Sequence, residues 1–392
     1  MLSMVNTTRR RFMGGLAAVA GGRALSSFGF PWQDKRPAAK VVPSPAAAAA
    51  EYDRMAKLAS NENPYGPSEA VLKAMNDAWK YSNRYSYPDG GIVEAIAEHH
   101  AVKPENVLIG AGSAEILKAA DDAFLPDHRK VIGVDPTFET VFRYATNSQA
   151  QAIAVPLRPD YTADIREIIR VTKLNARDVG LVYVCNPNNP TGNIVPKDEI
   201  KLLLDSIPEE IPVLIDEAYH HFVENPNYES SLKYVLQGRK VIITRTFSKI
   251  SGLAGMRLGY GVAPKEVIDQ MRQVIYSSSM NALAKHGAVA ALKDTANDAR
   301  ISRLVRRLRD QTMSELRSMG FELIPSDTNF FMVNIRKDAT EVREAFRKKG
   351  VLVGRKFPPM DQWLRVSVGT AEEMKSFMNA FKEIFPAATA SK

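Results

Sequence analysis

Val241-Ile-Ile-Thr-Arg-Thr-Phe-Ser-Lys-Ile-Ser-Gly-Leu-Ala-Gly-Met-Arg257 is the stretch whose reading decides the rest of the chain. Its opening run, Val241 to Thr244, is apolar and β-branched and predicts a short buried strand. The strand feeds a loop of small and hydroxyl residues that carries one lysine, Lys249, and closes on a second arginine, Arg257. A lysine amine placed this way suits imine formation with a carbonyl compound. Thr246, Ser248 and Arg257 suit the oxygens of a phosphate, the arginine through its planar fork. By itself Lys249 reads as a solvated surface charge, as lysines usually are.

Two upstream segments change that reading: Cys185-Asn-Pro-Asn-Asn-Pro-Thr-Gly192 and Leu214-Ile-Asp-Glu-Ala-Tyr219. Leu58-Ala-Ser-Asn-Glu-Asn-Pro-Tyr-Gly-Pro67 precedes them, and Leu364-Arg-Val-Ser-Val-Gly-Thr370 follows near the end. In this order and spacing the five segments resemble the fold-type I pyridoxal-phosphate aminotransferases of class I/II, and within them the histidinol-phosphate aminotransferase branch. The resemblance covers roughly residues 57–385. It implies an α/β fold: a large domain with a mostly parallel, seven-stranded type of sheet between helices, and a smaller α+β domain. It implies pyridoxal 5'-phosphate as cofactor and a homodimer with shared active sites.

Residue by residue, the resemblance makes Lys249 the catalytic lysine that holds the cofactor as a Schiff base. Asp216 falls to the ring nitrogen, Asn189 and Tyr219 to the ring hydroxyl, and Phe138 to the ring face. Phe138 alone reads equally well as a core residue at a helix start. The turn Gly112-Ser-Ala-Glu115 occupies the phosphate cup, so Ser113, Ala114 and Glu115 are backbone candidates beside Thr246, Ser248 and Arg257. A Gly-rich turn entering a helix suits an anion in any case. Tyr87, in Tyr87-Pro88, matches a tyrosine that reaches the neighbouring chain's phosphate. On the substrate side, Asn61, Tyr65 and Asn329 are candidates, and Arg365 matches the arginine that grips an α-carboxylate. One departure stands out. The histidinol-phosphate branch reads a substrate phosphate with an arginine directly after a Gly-Ile/Val-x-Val run, whereas this chain has Gly350-Val-Leu-Val-Gly-Arg355, with Gly354 inserted.

The rest of the chain supports two layers of organisation. Strand and helix patterns alternate from Val107 to Ile215, which predicts a mostly parallel sheet covered on both faces. Asn189, Asp216 and Lys249 each follow an apolar run, where ligands of such sheets bind. Helices are expected over 71–79, 164–174, 197–206, 264–276, 280–293 and 297–319. From Phe321 short strands and two helices predict the smaller domain. The expected division is 1–50 leader and linker, 86–299 large domain, and 51–85 with 300–392 small domain.

Composition sets the limits. At 392 residues, with 45% hydrophobic and 24% charged, the chain can bury a large core. Net charge is +8, but residues 1–50 hold +6 of it. The arginines of 297–319 have no aromatic interleaving, so nucleic-acid binding is not expected. Thr8-Arg-Arg-Arg-Phe-Met-Gly14 with the weakly apolar run after it resembles a twin-arginine export signal, which implies the Tat translocase and a periplasmic or exported protein; a basic tail is the other reading. No stable membrane span is expected. The single Cys185 permits no internal disulfide. The six histidines lack ligand spacing, so no metal is expected.

The expected function is transfer of an amino group from an L-amino acid, or an amino-acid-like amine, to a 2-oxo acid. Decarboxylation, elimination, racemisation or amino-acid oxidation on the same scaffold would use the same Lys249, Asp216 and Arg257. Histidinol-phosphate transamination itself is a further alternative.

Overall fold

The computed structural model describes residues 44–147, 149–275 and 280–386. The leader-like run 8–22 and Tyr276 lie outside the described residues, and the helix expected over 264–276 runs only from Lys265 to Arg272. The described residues from 51 onward form one compact unit. The Pro/Ala-rich stretch read as a linker ends in a helix, Pro45–Arg54, that buries none of its side chains. Proline at a first helical position followed by consecutive alanines favours that local structure.

Twelve strands are assigned among the described residues. They are β1 (Ala56–Leu58), β2 (Val107–Gly110), β3 (Lys130–Asp135), β4 (Gln151–Pro156), β5 (Val179–Cys185), β6 (Val213–Asp216), β7 (Val241–Thr246), β8 (Gly259–Val262), β9 (Leu323–Ile324), β10 (Phe330–Asn334), β11 (Val351–Val353) and β12 (Trp363–Ser367). Seven form the main sheet in the order β2-β8-β7-β6-β5-β3-β4. All its neighbours are parallel except those of β8, which runs antiparallel to β2 and β7. Every residue of β5, β6, β7 and β8 is buried. Sheets covered on both faces require such unbroken apolar runs.

Two apolar layers sandwich this sheet. One gathers Ile132, Val182, Ile215 and Ile243 with the helices Ile165–Leu174, Lys197–Ser206 and Ala282–Lys293. The other gathers Leu181, Tyr183, Leu214 and Ile242 with Ser113–Phe124 and Lys265–Arg272. Alternate residues of each strand thus serve opposite faces. A separate core forms around β10 and β12, where Phe330, Phe331, Phe346, Phe377 and Phe381 are fully buried. There β12-β10-β9 is antiparallel, and β1 pairs with β11 in parallel. Helix Thr295–Ser318 covers this core with Ile301, Val305, Met313 and Leu316. Of the apolar positions Leu304, Leu308, Met313 and Leu316 that the sequence offers as a stripe, Met313 and Leu316 are buried and Leu304 and Leu308 only partly so, while Arg303 and Arg307 stay on the outer face.

Helix boundaries differ from those read in the sequence by one or two residues in most cases. Ser68, Asp164, Asn281, Asp294 and Thr370 accept from backbone N–H groups as N-caps and fix the starts.

Candidate active site

Strand register builds the centre of the site. Asp216 ends β6 and lies opposite Cys185 of β5 and Thr244 of β7. Thr244 Oγ1 donates to Asp216 Oδ1 at 3.0 Å, and the Ala218 N–H donates to the same oxygen at 3.2 Å. Burial pushes the Asp216 carboxyl up to about 6, against the pull of these two donors and of Lys249. Both hydrogen bonds come from neutral groups, so a buried carboxylate here suits a cationic partner.

Lys249 follows β7 by three residues. Its Nζ donates to the Ser60 carbonyl at 3.2 Å and lies 5.6 Å from the centre of the Tyr219 ring. Burial lowers its pKa to about 8, and the charge of Arg365 adds to the effect. The Tyr219 hydroxyl accepts from Asn61 Nδ2 at 3.1 Å and from Asn189 Nδ2 at 3.5 Å. Burial pushes that phenol upward.

Arg365 is tied into the same cluster. Its Nη1 donates to Asn189 Oδ1 at 2.7 Å and its Nη2 to the Ala59 carbonyl at 2.6 Å. The guanidinium lies against the rings of Phe357, at 4.8 Å, and Phe330, at 5.6 Å. Its Nε is buried without a partner. Burial lowers its pKa to about 10, and nearby Arg355 adds to this.

At the other end, Arg257 adopts a left-handed backbone with φ 55°. Its Nη1 reaches Ser248 Oγ at 3.4 Å and the Ala254 carbonyl at 2.9 Å; its Nη2 reaches the Ala111 carbonyl at 3.3 Å. Gly112, at φ +83°, makes this approach possible, since a Cβ there would stand 2.2 Å from Arg257 Nη2. The guanidinium therefore folds against the turn that opens helix Ser113–Phe124. A cation beside a helix N-terminus is an anion cup.

A cavity of about 210 Å³ joins these groups; Ser113, Ala114, Phe138, Asn189, Asp216, Tyr219, Thr246, Ser248, Lys249 and Arg257 all line it. The donor set fits pyridoxal phosphate: an amine, a buried carboxylate, a flat aromatic wall, and a cup of guanidinium and helix N–H groups at one end.

Other residues singled out in the sequence stand elsewhere. Glu115 does not line the cavity; its Oε2 accepts from the Ala111 N–H at 2.6 Å, and its own N–H donates to the Gly112 carbonyl. Tyr65 is 36% exposed, and its N–H donates to Asn63 Oδ1. Asn329 is buried and donates from Nδ2 to the Asn61 carbonyl at 3.0 Å, so it holds the Asn61 loop, while its Oδ1 has no partner. Tyr87 lies outside this cavity and donates to the Met280 carbonyl at 2.6 Å. Arg245, the first arginine of the opening stretch, turns away to a buried pair with Glu217 at 2.8 Å. Among the described residues no three His, Cys, Asp or Glu side chains group as a metal site, and no helix is long and apolar enough to cross a membrane.

Ser60, Glu62, Ala218 and Ala254 also line the cavity and were not singled out. Ser60 acts through its carbonyl, which no side-chain pattern reveals. Glu62 stood inside a quoted motif but carries no signal of its own. Phe330, the first residue of β10, and Phe357, in the loop after β11, carry no signal because apolar residues in or beside strands read as core.

The family model for aminotransferase class I and II matches residues 53–381. A histidinol-phosphate aminotransferase of Moorella thermoacetica is 40% identical over 335 residues, covering 84% of this chain and 85% of that protein. One from Caldicellulosiruptor saccharolyticus is 34% identical, covering 85% and 92%. The crystal structure of histidinol-phosphate aminotransferase from Sinorhizobium meliloti in complex with pyridoxal-5'-phosphate shares the fold, with a TM-score of 0.78 at 24% identity over 88% of this chain and 95% of that one.

Proposed function

We propose roles for the residues of this cavity from one premise: the chain belongs to the class I and II aminotransferase family. Its reaction is pyridoxal-phosphate-dependent transfer of an amino group from an amino acid to a 2-oxo acid. The bound cofactor supplies a carbonyl carbon that takes up the amino group and a ring that accepts electrons released at the substrate's α-carbon. The convergence of Lys249, Asp216 and Arg257 on one cavity, with Arg365 bound to its wall through Asn189, is the observation that carries the assignment of roles.

Lys249 would hold the cofactor, and its amine is the group placed to move a proton from and to the substrate's α-carbon. Its pKa of about 8 leaves a useful fraction of free base near neutrality. Asp216 would pair with the ring nitrogen and keep positive charge there. Asn189 and Tyr219 would hydrogen-bond the ring hydroxyl, and Phe138 would cover one ring face. Arg257, Ser248, Thr246 and the N–H groups of Ser113 and Ala114 would hold the phosphate. Arg365 takes the substrate α-carboxylate and keeps the α-carbon over Lys249.

The substrate favoured by this arrangement is an L-amino acid, because Arg365 is prepared for a carboxylate. Histidinol phosphate is a second reading, supported by the names of the relatives at 40% and 34% identity. Incubation with ¹⁵N-labelled amino acids, or with histidinol phosphate, plus a 2-oxo acid separates these. Label appearing in a new amino acid is the expected result for the preferred donor. Release of CO2 or ammonia without need for an oxo acid would contradict transamination.

A homodimer is part of the same proposal, supported by Tyr87 standing outside its own chain's cavity. Export through the twin-arginine route is supported by Arg9-Arg10-Arg11 and the run after it. Fractionation of cells that make the full chain tests it. Activity in the periplasmic fraction, lost on Arg9→Lys/Arg10→Lys, is expected; unchanged distribution would contradict export.

A further inference from the structure

The inserted Gly354 leads to an ion pair beside the cavity. Gly354 donates its N–H to the Arg365 carbonyl at 2.9 Å, and a Cβ on Gly354 would stand 2.7 Å from that oxygen and 3.0 Å from Arg365 Cβ. The loop after β11 therefore lies flat on β12 at Arg365. Phe357 then places its ring against both guanidiniums, 4.8 Å from that of Arg365 and 4.3 Å from that of Arg355. Arg355 is thus one phenyl ring away from the arginine assigned to the α-carboxylate.

An arginine there would attract a second anionic group on the substrate. It is already engaged. Arg355 Nη2 lies 3.0 Å from Glu139 Oε1, and Nη1 donates to the Lys356 carbonyl at 3.1 Å. Glu139 directly follows Phe138 of the cavity wall, and its carboxylate also lies 4.0 Å from Arg143 Nη1. Arg355 and Glu139 side chains are each about half exposed, so a ligand can reach the pair without first unfolding anything.

We propose that Glu139 sets the charge selectivity at the side-chain end of the substrate by neutralising Arg355. The proposal rests on Arg365 as the α-carboxylate partner. With Glu139 in place, the subsite meets an uncharged side chain with a closed ion pair and the Phe357 ring. A second carboxylate or a phosphate must displace Glu139 from Arg355 and remain near its negative charge. The chain therefore prefers amino acids with uncharged, in particular aromatic, side chains over dicarboxylic or phosphorylated ones.

The test compares two unreactive ligands by calorimetry on the cofactor-loaded protein: glutarate, with two carboxylates, and 3-phenylpropionate, with one. Glu139→Gln is expected to raise the affinity for glutarate relative to 3-phenylpropionate by about fivefold, the upper range of a partly exposed charge pair. The gain should shrink at high salt. Arg355→Gln should lower the ratio below that of the unsubstituted chain, and adding Glu139→Gln to it should bring the ratio back only to about the parent's value, not above it. An unchanged ratio in Glu139→Gln, or a double variant whose ratio exceeds the parent's as far as Glu139→Gln alone does, would overturn the proposal. Turnover with phenylalanine and glutamate, measured in parallel, judges the aminotransferase reading separately. A chain that transfers no amino group would fail that reading while the two affinities still decide this one.

Discussion

Lys249 and Asp216 carry opposite consequences of the same burial. Desolvation disfavours the charged form of each, so the lysine is pushed down to about 8 and the carboxyl up to about 6. Asp216 becomes an anion as pH rises through about 6, and only then can it pair with a protonated ring nitrogen. Lys249 becomes a free amine as pH rises through about 8, and only then can it attack a carbonyl. Stopped-flow mixing of cofactor-free protein with pyridoxal phosphate should show affinity strengthening across the first step and covalent capture quickening across the second. Asp216→Asn should remove the lower inflection and keep the upper one. A single inflection unaffected by Asp216→Asn would contradict the assignment. Lys249→Ala should abolish turnover, at least about 10³-fold, with near-unchanged far-UV circular dichroism. The same residue bears on stability. The lysine's folded pKa lies below its unfolded one, so the cofactor-free fold carries a penalty fully present below about 8 and relieved as pH rises toward 10.5. Lys249→Met should therefore raise the Tm of cofactor-free protein at pH 7, and the gain should fade by pH 10.

At the scale of elements, the anion cup proposed for the phosphate depends on how closely β8 approaches the helix Ser113–Phe124. Gly259 opens β8, and a Cβ there would stand 2.3 Å from the Ser113 nitrogen and 2.9 Å from the Arg245 carbonyl. Both are backbone atoms and cannot swing aside. Gly259→Ala should lower stability by about 1–3 kcal/mol, the usual penalty of overpacking, and weaken cofactor binding at the same time. Denaturant unfolding with and without cofactor checks both; a variant as stable and as tightly loaded as its parent would contradict this packing. This scale also shows what was legible beforehand. The sheet strands and most helices could be read because apolar runs and caps are local signals. The centre of the site could be read because Asn189, Asp216, Lys249 and Arg257 sit in contiguous motifs. Arg245 could not be placed from sequence, since its turn toward Glu217 depends on a residue 28 positions away. The Glu139–Arg355 pair joins residues more than two hundred positions apart and leaves no pattern in either segment. Tyr65 and Glu115 matched motif positions, yet local turns engage the Tyr65 N–H and the Glu115 carboxylate.

At the scale of the whole molecule, Tyr87 is the residue that one chain leaves unexplained. It lies among Tyr81, Lys285 and Met280, with Trp79 59% exposed and Tyr85 97% exposed close by. Large exposed aromatics grouped in this way suit a partner surface. A second copy is the partner that the shared-site proposal requires. Mixing two crippled variants, Lys249→Ala and Tyr87→Ala, after mild dissociation should restore activity, because a mixed dimer keeps one site with both groups intact. Statistical exchange would leave about a quarter of all sites whole. Activity no greater than the sum of the separate variants would place Tyr87 outside the neighbour's site.

The central claim is that an amino group is carried by the cofactor in this cavity and handed on. The visible absorption spectrum of the cofactor-loaded chain, titrated with phenylalanine and then with a 2-oxo acid, measures both halves. The account predicts that the amino acid bleaches the long-wavelength band with release of one equivalent of oxo acid, and that the added 2-oxo acid restores it. A band that no amino acid bleaches, or a bleached band that no oxo acid restores, would contradict transamination.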